Sequence, residues 1–132
     1  MRSELEGLVA GLVLLAGCGN STSPLYGGGG GGGGGGGCTP TATTVCMVGT
    51  TFNPAGLTIT AGQTVTWNNG STVTHTVTSS TSSTEVFNSG NVMAAGTFSH
   101  RFATAGTYHY FCQIHGSDGN PPTGMAGTIT VQ

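Results

Sequence analysis

Three residues with metal-binding side chains, Cys112, His115 and Met125, lie close together near the C-terminus of the chain. A further histidine, His75, lies upstream in the segment WNNGSTVTHTVT. Two imidazoles, one thiolate and one thioether are the donors of a mononuclear blue-copper site, which has a trigonal His₂Cys core and a long, weak axial Met. We therefore predict that His75, Cys112 and His115 bind one copper ion, with Met125 as the axial ligand.

Other uses of these residues fit the sequence less well. A structural zinc site is closed by four strong ligands, and a thioether is a weak fourth. A dinuclear copper site would need a second cysteine beside Cys112, which is absent. A cysteine nucleophile would need an Asp or Asn that orients His115, and none is evident. A buried Cys, Met or His is ordinary by itself, but the combination is not, so we predict a metal site without catalytic residues or enzyme activity.

The chain carries very few charges. Only 5% of its 132 residues are charged, and lysine is absent. A surface this neutral cannot neutralise phosphates, which argues against nucleic-acid binding. It also cannot steer a partner strongly by electrostatics, so we predict that any redox partner docks mainly through apolar contacts.

The N-terminus resembles an export signal that ends in a lipid attachment site. The apolar run at residues 8–16 has the length of a signal core and is too short to span a membrane. It ends in LAGC, which resembles the bacterial lipoprotein box, whose cysteine is acylated. The opening MRSELEG departs from that pattern because its two acids oppose Arg2 and the terminal amine. We predict a signal peptide at residues 1–17 and a lipid on Cys18, the alternative being an N-terminus without a lipid.

A run of eleven glycines at residues 27–37 follows the predicted anchor. Glycine has no side chain to pack, and glycine-rich chains behave as flexible tethers. We therefore predict a linker at residues 18–37 and a folded domain at residues 38–132. A lipid at Cys18 would hold that domain at a membrane, on its periplasmic or cell-surface side.

The four cysteines divide between three predicted uses. With Cys18 given to the lipid and Cys112 to the metal, Cys38 and Cys46 remain, only eight positions apart. Close cysteines in an exported protein commonly form a disulfide, which we predict here. The alternatives are two free thiols or a second metal site.

The region after Cys46 alternates apolar and polar residues between turn residues, as in the parity that Tyr108, Tyr110 and Cys112 share. Alternation with one apolar face is typical of a two-sheet sandwich, and no segment of the domain shows a helical period. We predict an all-β, antiparallel-rich Greek-key sandwich of seven to eight strands. By parity, His75, Cys112 and Met125 should point inward from strand ends that meet at one pole.

Four segments together resemble the cupredoxins, in particular the plastocyanin-like and pseudoazurin-like small blue-copper proteins. They are GQTVTWNN from Gly62, His75-Thr76-Val77, GTYHYFCQIH from Gly106 and GMAGTITV from Gly124. The resemblance covers residues 45–132 and implies the Greek-key sandwich and one-electron transfer. It also implies that His75, Cys112, His115 and Met125 are the copper ligands. In that family the histidine at the position of His115 reaches the surface and is the exit for the electron.

Two features depart from the family pattern. Nine residues separate His115 from Met125, whereas relatives have only a few, so an empty axial position, a backbone carbonyl or Gln113 are alternatives to Met125. His100 stands where many relatives carry an inward aromatic residue, and we predict a hydrogen-bonded strand histidine there. His109 has outward parity, which predicts a solvated surface residue.

These observations lead to one functional prediction and two alternatives. We predict a monomeric, exported, membrane-tethered type 1 copper protein that carries single electrons and docks through an apolar face near His115. The alternatives are a copper-handling protein that stores, delivers or senses copper on the same fold, and a surface sandwich with a decayed site. We also expect the second ring nitrogen of His75 to bond a backbone group or a side chain that orients the ring, and Asn68 or Asn69 could supply it.

Overall fold

The structure is a computed structural model that describes residues 37–132. The predicted signal peptide, the predicted lipid site at Cys18 and all but the last residue of the predicted linker lie outside the described residues. The described chain forms eight strands: β1 (Thr44–Val48), β2 (Thr51–Asn53), β3 (Gly56–Ile59), β4 (Thr64–Asn69), β5 (Thr78–Ser79), β6 (Thr97–Arg101), β7 (Gly106–Ser117) and β8 (Thr123–Val131). Within that part, no helix is long and apolar enough to cross a membrane.

The strands form two four-stranded sheets with the orders β2-β1-β4-β6 and β3-β8-β7-β5. Most neighbours are antiparallel, but β1 with β4 and β3 with β8 are parallel. Each parallel pair joins strands that are not consecutive in the chain, so the path between them crosses to the other sheet. The predicted all-β sandwich of seven to eight strands is confirmed.

Aromatic side chains from both sheets fill the core between them. The fully buried Trp67 of β4 packs edge-on against Tyr110 of β7, with ring centroids 5.3 Å apart. Tyr110 in turn packs against Phe52 of β2 at 4.8 Å. Aromatic pairs of this kind add about 0.5–1.5 kcal/mol beyond the burial of their area. This column of rings fixes the distance between the sheets.

The inward parity predicted for β7 is confirmed, because Tyr108, Tyr110 and Cys112 are all buried. The structure also contains the predicted disulfide between Cys38 and Cys46, with Cα atoms 5.7 Å apart. Cys46 lies in β1, so the bridge fastens the start of the described chain to that sheet. Cys112 is the free cysteine within residues 37–132, as a metal-binding role requires.

A shift of register interrupts the hairpin of β7 and β8. Pairing runs up to Phe111 opposite Ala126 and resumes with Gly116 opposite Gly124. The four intervening residues of β7 therefore face a single residue of β8, which is Met125. Bulges of this kind bend a strand and re-aim its side chains. The predicted ligands of β7 lie inside this irregular segment.

Candidate metal centre

Two of the predicted ligands, Cys112 and His115, lie three positions apart in the bulge of β7. The third, His75, lies three residues before β5 rather than inside a strand, and a β-bridge to Val92 holds its backbone. The inward direction predicted for His75 is nevertheless found, because its side chain is fully buried. One end of the sandwich thus receives side chains from two separate segments.

The nitrogen and sulfur atoms of these three residues face one another. His75 Nδ1 lies 3.2 Å from His115 Nδ1, and Cys112 Sγ lies 3.8 Å from the former and 3.6 Å from the latter. A trigonal ion with bonds of about 2.0–2.3 Å would space its nitrogens by about 3.5 Å and nitrogen from sulfur by about 3.8 Å. The donor triangle therefore fits one ion. It is also the only such cluster of His, Cys, Asp and Glu within residues 37–132.

Burial differs among the three residues. His75 and Cys112 are fully buried, whereas His115 is half-buried. Burial, together with the neighbouring His115 ring, lowers the pKa of His75 below its usual value. The neutral imidazole is the form that binds a metal, so the environment of His75 favours a ligand state.

Met125 lies on β8 directly opposite the bulge and is 1% exposed. Its position brings a buried thioether to the same end of the sandwich as the three donors. Gln113, the side-chain alternative for the axial position, is exposed to solvent. Burial thus favours Met125 over Gln113 as the fourth donor.

Thr76 connects the two segments that supply the donors. Its backbone N–H donates to Cys112 Sγ at 3.3 Å, and its Oγ1 accepts from the backbone N–H of Gln113 at 2.8 Å. Hydrogen bonds to a ligand sulfur tune the redox potential of blue-copper sites. This role of Thr76 was not predicted from the sequence, although its place directly after His75 was a usable signal.

The second ring nitrogen of His75 has a different partner from the one expected. A side chain bonds it, as expected, but this side chain is Ser71 rather than Asn68 or Asn69, since Ser71 Oγ lies 2.8 Å from His75 Nε2. Asn69 stands one step behind, where its Oδ1 accepts from the Ser71 hydroxyl at 2.7 Å. The chain turns sharply after β4, and this turn brings Ser71 rather than an asparagine to the ring.

The nine residues between His115 and Met125 do not form a long open loop. Both strands extend past the bulge, so only residues 118–122 form the turn. The turn folds back on the segment after β5, where Asp118 Oδ1 accepts from Ser80 Oγ at 2.7 Å and from Thr81 N at 3.1 Å. The backbone N–H of Ser80 donates to the carbonyl of His109, three residues before Cys112. The extra residues therefore lengthen the hairpin without separating the donors.

Replacing Asp118 by alanine should loosen this turn. Hydrogen bonds from Ser80, and then from the backbone of Thr81, lower the pKa of Asp118. A carboxyl with a lowered folded-state pKa stabilises the fold above its unfolded-state value, and that contribution is lost as pH falls through the lowered value. We expect protection of the Thr81 and Gly119 amide protons against hydrogen exchange to fall several-fold in the variant at pH 7. In the wild type the same protection should fall only below about pH 4, where Asp118 is protonated. Hydrogen exchange measures this, with Glu85→Gln as the control. Equal protection in wild type and variant at pH 7 would contradict it.

The two remaining histidines lie away from the donor triangle. His100 Nε2 lies 2.7 Å from Glu85 Oε1 and its ring stacks on Phe87, so the predicted hydrogen-bonded strand histidine is confirmed. His109 is half-buried, and its Nδ1 lies 3.0 Å from Thr128 Oγ1 on the paired strand. The predicted solvated residue is therefore instead a cross-strand partner.

The chain is similar to known copper-binding proteins. Residues 38–132 match the model of the copper binding proteins of the plastocyanin/azurin family. The plastocyanin of Scenedesmus fuscus is 38% identical over 89 residues, which are 61% of this chain and 86% of that protein. The similarity thus covers nearly all of a plastocyanin.

Solved structures agree with this match. A purple cupredoxin from Nitrosopumilus maritimus superimposes with a TM-score of 0.55 at 28% identity, over 68% of this chain and 99% of that one. A Cu-containing nitrite reductase from Thermus scotoductus gives a TM-score of 0.59 at 28% identity, over 72% of this chain but only 23% of that one. The resemblance to the cupredoxins is confirmed, and the chain belongs to the plastocyanin/azurin family of copper-binding proteins.

Proposed function

We propose that this protein is an exported type 1 copper protein that carries single electrons between redox partners. The observation that carries the proposal is the donor triangle, in which two imidazole nitrogens and one sulfur lie within 4.8 Å of one another. We assign His75, Cys112 and His115 as the copper ligands and Met125 as the axial ligand. Bound copper would supply the one-electron couple.

The protein's contribution is to hold these donors in place. Thiolate and thioether suit the reduced ion, and imidazole suits both states, so the set is a compromise between their preferred geometries. The bridge at His75 and the two hydrogen bonds of Thr76 fix the donors' positions. Rigid donors limit rearrangement when an electron arrives or leaves. Half-buried His115 gives the electron a short route to the surface, whereas buried Cys112 stays shielded from water.

The visible spectrum of the copper-loaded full chain tests the proposal. We expect one copper per chain, an intense blue or green colour from thiolate-to-copper charge transfer, and reversible bleaching by a mild reductant. Met125→Leu should keep the colour and shift the reduction potential. A colourless protein that holds only Cu(I), or readily releases it, would contradict electron transfer and favour copper storage, delivery or sensing.

The end of the sandwich that carries the donors also carries most of the exposed large hydrophobic side chains of residues 37–132. Four of the five large hydrophobic side chains exposed within residues 37–132 belong to what we term the apolar pole: Val48, Val73, Met93 and Ile114. Ile114 directly precedes His115, and Val73 lies two residues before His75. Val48 follows Met47, which lies opposite Asn69 at the end of β4. Met93 follows Val92, the bridge partner of His75. The apolar pole thus lies at the same end of the sandwich as His115, the proposed electron exit.

Each charged side chain of the described residues 37–132 has a partner that is not one of the four residues of this pole. Glu85 pairs with His100 and Asp118 accepts from Ser80. Arg101 donates to the carbonyl of Gly62. Charged rims raise association rates and make them depend on salt, whereas apolar contacts do neither. We therefore propose that a redox partner docks on the apolar pole by desolvation.

Electron self-exchange between oxidised and reduced copies of the copper-loaded protein tests this docking surface without a partner. We expect the rate constant, measured from NMR line widths, to change less than about threefold between low and high salt, because exposed charges are screened beyond about 10 Å at 0.1 M. Ile114→Glu should slow exchange at least tenfold at low salt, since each copy then presents a like charge. Val86→Glu is the matched control, because Val86 is 89% exposed but lies outside the pole. A wild-type rate that changes by orders of magnitude with salt would contradict apolar docking.

We further propose that the domain at residues 38–132 acts as a monomer tethered to a membrane through Cys18. The support is the LAGC sequence at the end of an apolar run and the eleven glycines before the domain. Residues 1–17 would be the signal peptide and residues 18–37 the linker. In an exporting bacterial host, the wild-type chain should fractionate with membranes and carry a lipid on Cys18 by mass spectrometry. Cys18→Ala should be soluble. A wild-type chain that is recovered without a lipid would contradict the tether.

A further inference from the structure

We propose that Asn69 and Ser71 act as positioning residues that fix the proton of His75 on Nε2 and so present Nδ1 as a free electron pair to the metal centre. Neither residue belongs to the donor triangle. The inference rests on the proposed function only in naming His75 as a ligand. It follows from counting the protons that Asn69, Ser71 and His75 can donate to one another.

The series of hydrogen bonds begins at Asn69, the last residue of β4. The side chain of Asn69 is fully buried. Its Nδ2 donates to the carbonyls of Val73 at 2.8 Å and Val92 at 2.9 Å. Both N–H groups of the amide are thereby used on atoms that can only accept. A flipped amide would place its oxygen against two carbonyl oxygens and its NH₂ group against the backbone N–H of Ser71, which instead donates to Oδ1 at 3.0 Å. The orientation of Asn69 is therefore fixed, with Oδ1 turned towards Ser71.

Ser71 receives its direction from this oxygen. Its hydroxyl lies 2.7 Å from Asn69 Oδ1, which can only accept, so the hydroxyl must donate. Among residues 37–132, one other carbonyl lies within hydrogen-bond distance of the hydroxyl, that of Val73 at 3.2 Å, and it too can only accept. A hydroxyl has one proton, and Ser71 donates it either to Asn69 Oδ1 or to the carbonyl of Val73. Towards any further neighbour, Ser71 Oγ can act only as an acceptor.

That further neighbour is His75 Nε2, 2.8 Å away. Since Ser71 Oγ has no proton left to give, Nε2 must carry one and donate it. A neutral imidazole has one N–H, so Nδ1 is then unprotonated. Nδ1 is also the atom that faces His115 Nδ1 at 3.2 Å and Cys112 Sγ at 3.8 Å. Backbone carbonyls thus determine, through two side chains, which nitrogen of His75 is free to bind the metal.

This arrangement prepares His75 before any metal arrives. A histidine in the other tautomer would have to lose or move a proton from Nδ1, and would lack the hydrogen bond from Nε2–H to Ser71 Oγ. Partners of this kind, placed behind a metal ligand, are typically worth 10–100-fold in metal affinity. The hydrogen bonds from Asn69 through Ser71 to His75 begin at the end of β4. Folding of the sandwich itself therefore sets the tautomer of His75.

Long-range proton–nitrogen NMR of the metal-free full chain, with labelled histidine, tests the inference. We expect His75 as the Nε2–H tautomer in the wild type and in Ser71→Thr, which keeps the hydroxyl. Ser71→Ala should populate the Nδ1–H tautomer and weaken Cu(II) binding, measured by competition, at least tenfold. Ser99→Ala is the matched control, because Ser99 Oγ lies 2.8 Å from Thr66 Oγ1 on the neighbouring strand, away from His75. Asn69→Leu removes the first step of the pathway and should change the tautomer in the same direction.

The outcomes separate this inference from the proposed function. An Nδ1–H tautomer in the wild type would overturn the inference, as would an unchanged tautomer and copper affinity in Ser71→Ala. If Ser71→Ala does not fold, the wild-type tautomer and the Ser71→Thr variant still decide it. A wild type with the Nε2–H tautomer that stays colourless with copper would end the proposed electron transfer and leave the inference intact.

Discussion

Replacing Cys112 by serine should abolish the intense visible absorption of the copper-loaded protein. The colour depends on charge transfer from a thiolate, and a serine hydroxyl stays protonated and is a hard donor. Of the donor triangle, only the imidazoles of His75 and His115 would remain, and Met125 is too weak to replace the lost ligand. We expect copper affinity to fall more than about 100-fold, since a loss of about 2.7 kcal/mol already corresponds to that factor. A titration with Cu(II), followed by visible and electron paramagnetic resonance spectra, measures both effects.

The fold should survive this substitution. Cys112 is fully buried, and its sulfur accepts a hydrogen bond from Thr76 N–H, which a serine oxygen can also accept. Far-ultraviolet circular dichroism of the metal-free variant should therefore match that of the wild type. This separates the loss of a ligand from the loss of structure.

Two controls complete the experiment. Met125→Leu keeps the donor triangle and should stay coloured, although its reduction potential should change. The double variant Cys38→Ser, Cys46→Ser lacks the disulfide. It should keep the colour, because that bridge lies outside the donor triangle. A Cys112→Ser protein that remains intensely blue would show that the ligands are misassigned.

The strands that carry the site could be predicted because strand parity is a local property. Tyr108, Tyr110 and Cys112 alternate with polar residues, and this was enough to place the cysteine on the inner face. The donor set could be predicted because its residue types are chemically rare together. A thiolate, two imidazoles and a thioether limit the metal far more than any single residue does.

The bulge of β7 could not be predicted, because it is a property of pairing between two strands. Parity alone would carry Cys112 inward and send His115 outward, and only the four-against-one register opposite Met125 brings both into one site. The extended hairpin was missed for the same reason. Nine residues were interpreted as a loop, whereas several of them continue the strand pairing on the far side of the bulge.

The hydrogen bonds around the site were also beyond the sequence analysis. Ser71 reaches His75 because the chain turns after β4, and the buried amide of Asn69 is held by carbonyls of Val73 and Val92. The residues of such a network lie up to 23 positions apart. No local sequence pattern predicts contacts between residues so far apart, whereas the types of the ligand residues were enough to predict the metal site.

Replacing Gly127 by alanine should strongly destabilise the sandwich. Gly127 of β8 lies directly opposite Tyr110 of β7, and a β-carbon at position 127 would overlap the phenol ring. The ring has nowhere to move, because Tyr110 is fully buried between Phe52 and Trp67 at centroid distances of 4.8 and 5.3 Å. Overpacking of a core costs about 1–3 kcal/mol, and a contact with this little room should lie near the upper end. Urea unfolding of the metal-free protein measures the loss.

The matched control is Gly56→Ala in β3, where a β-carbon would meet no heavy atom within 4 Å. We expect that variant to stay within about 0.5 kcal/mol of the wild type. Equal stabilities for the two variants would show that the Tyr110 ring can move aside. The overlap at Gly127 also bears on the copper site, since Tyr110 lies two residues before Cys112 and Gly127 two after Met125. A displaced ring would separate the strands at the bulge, so Gly127→Ala should weaken copper binding together with the fold, whereas Gly56→Ala should change neither.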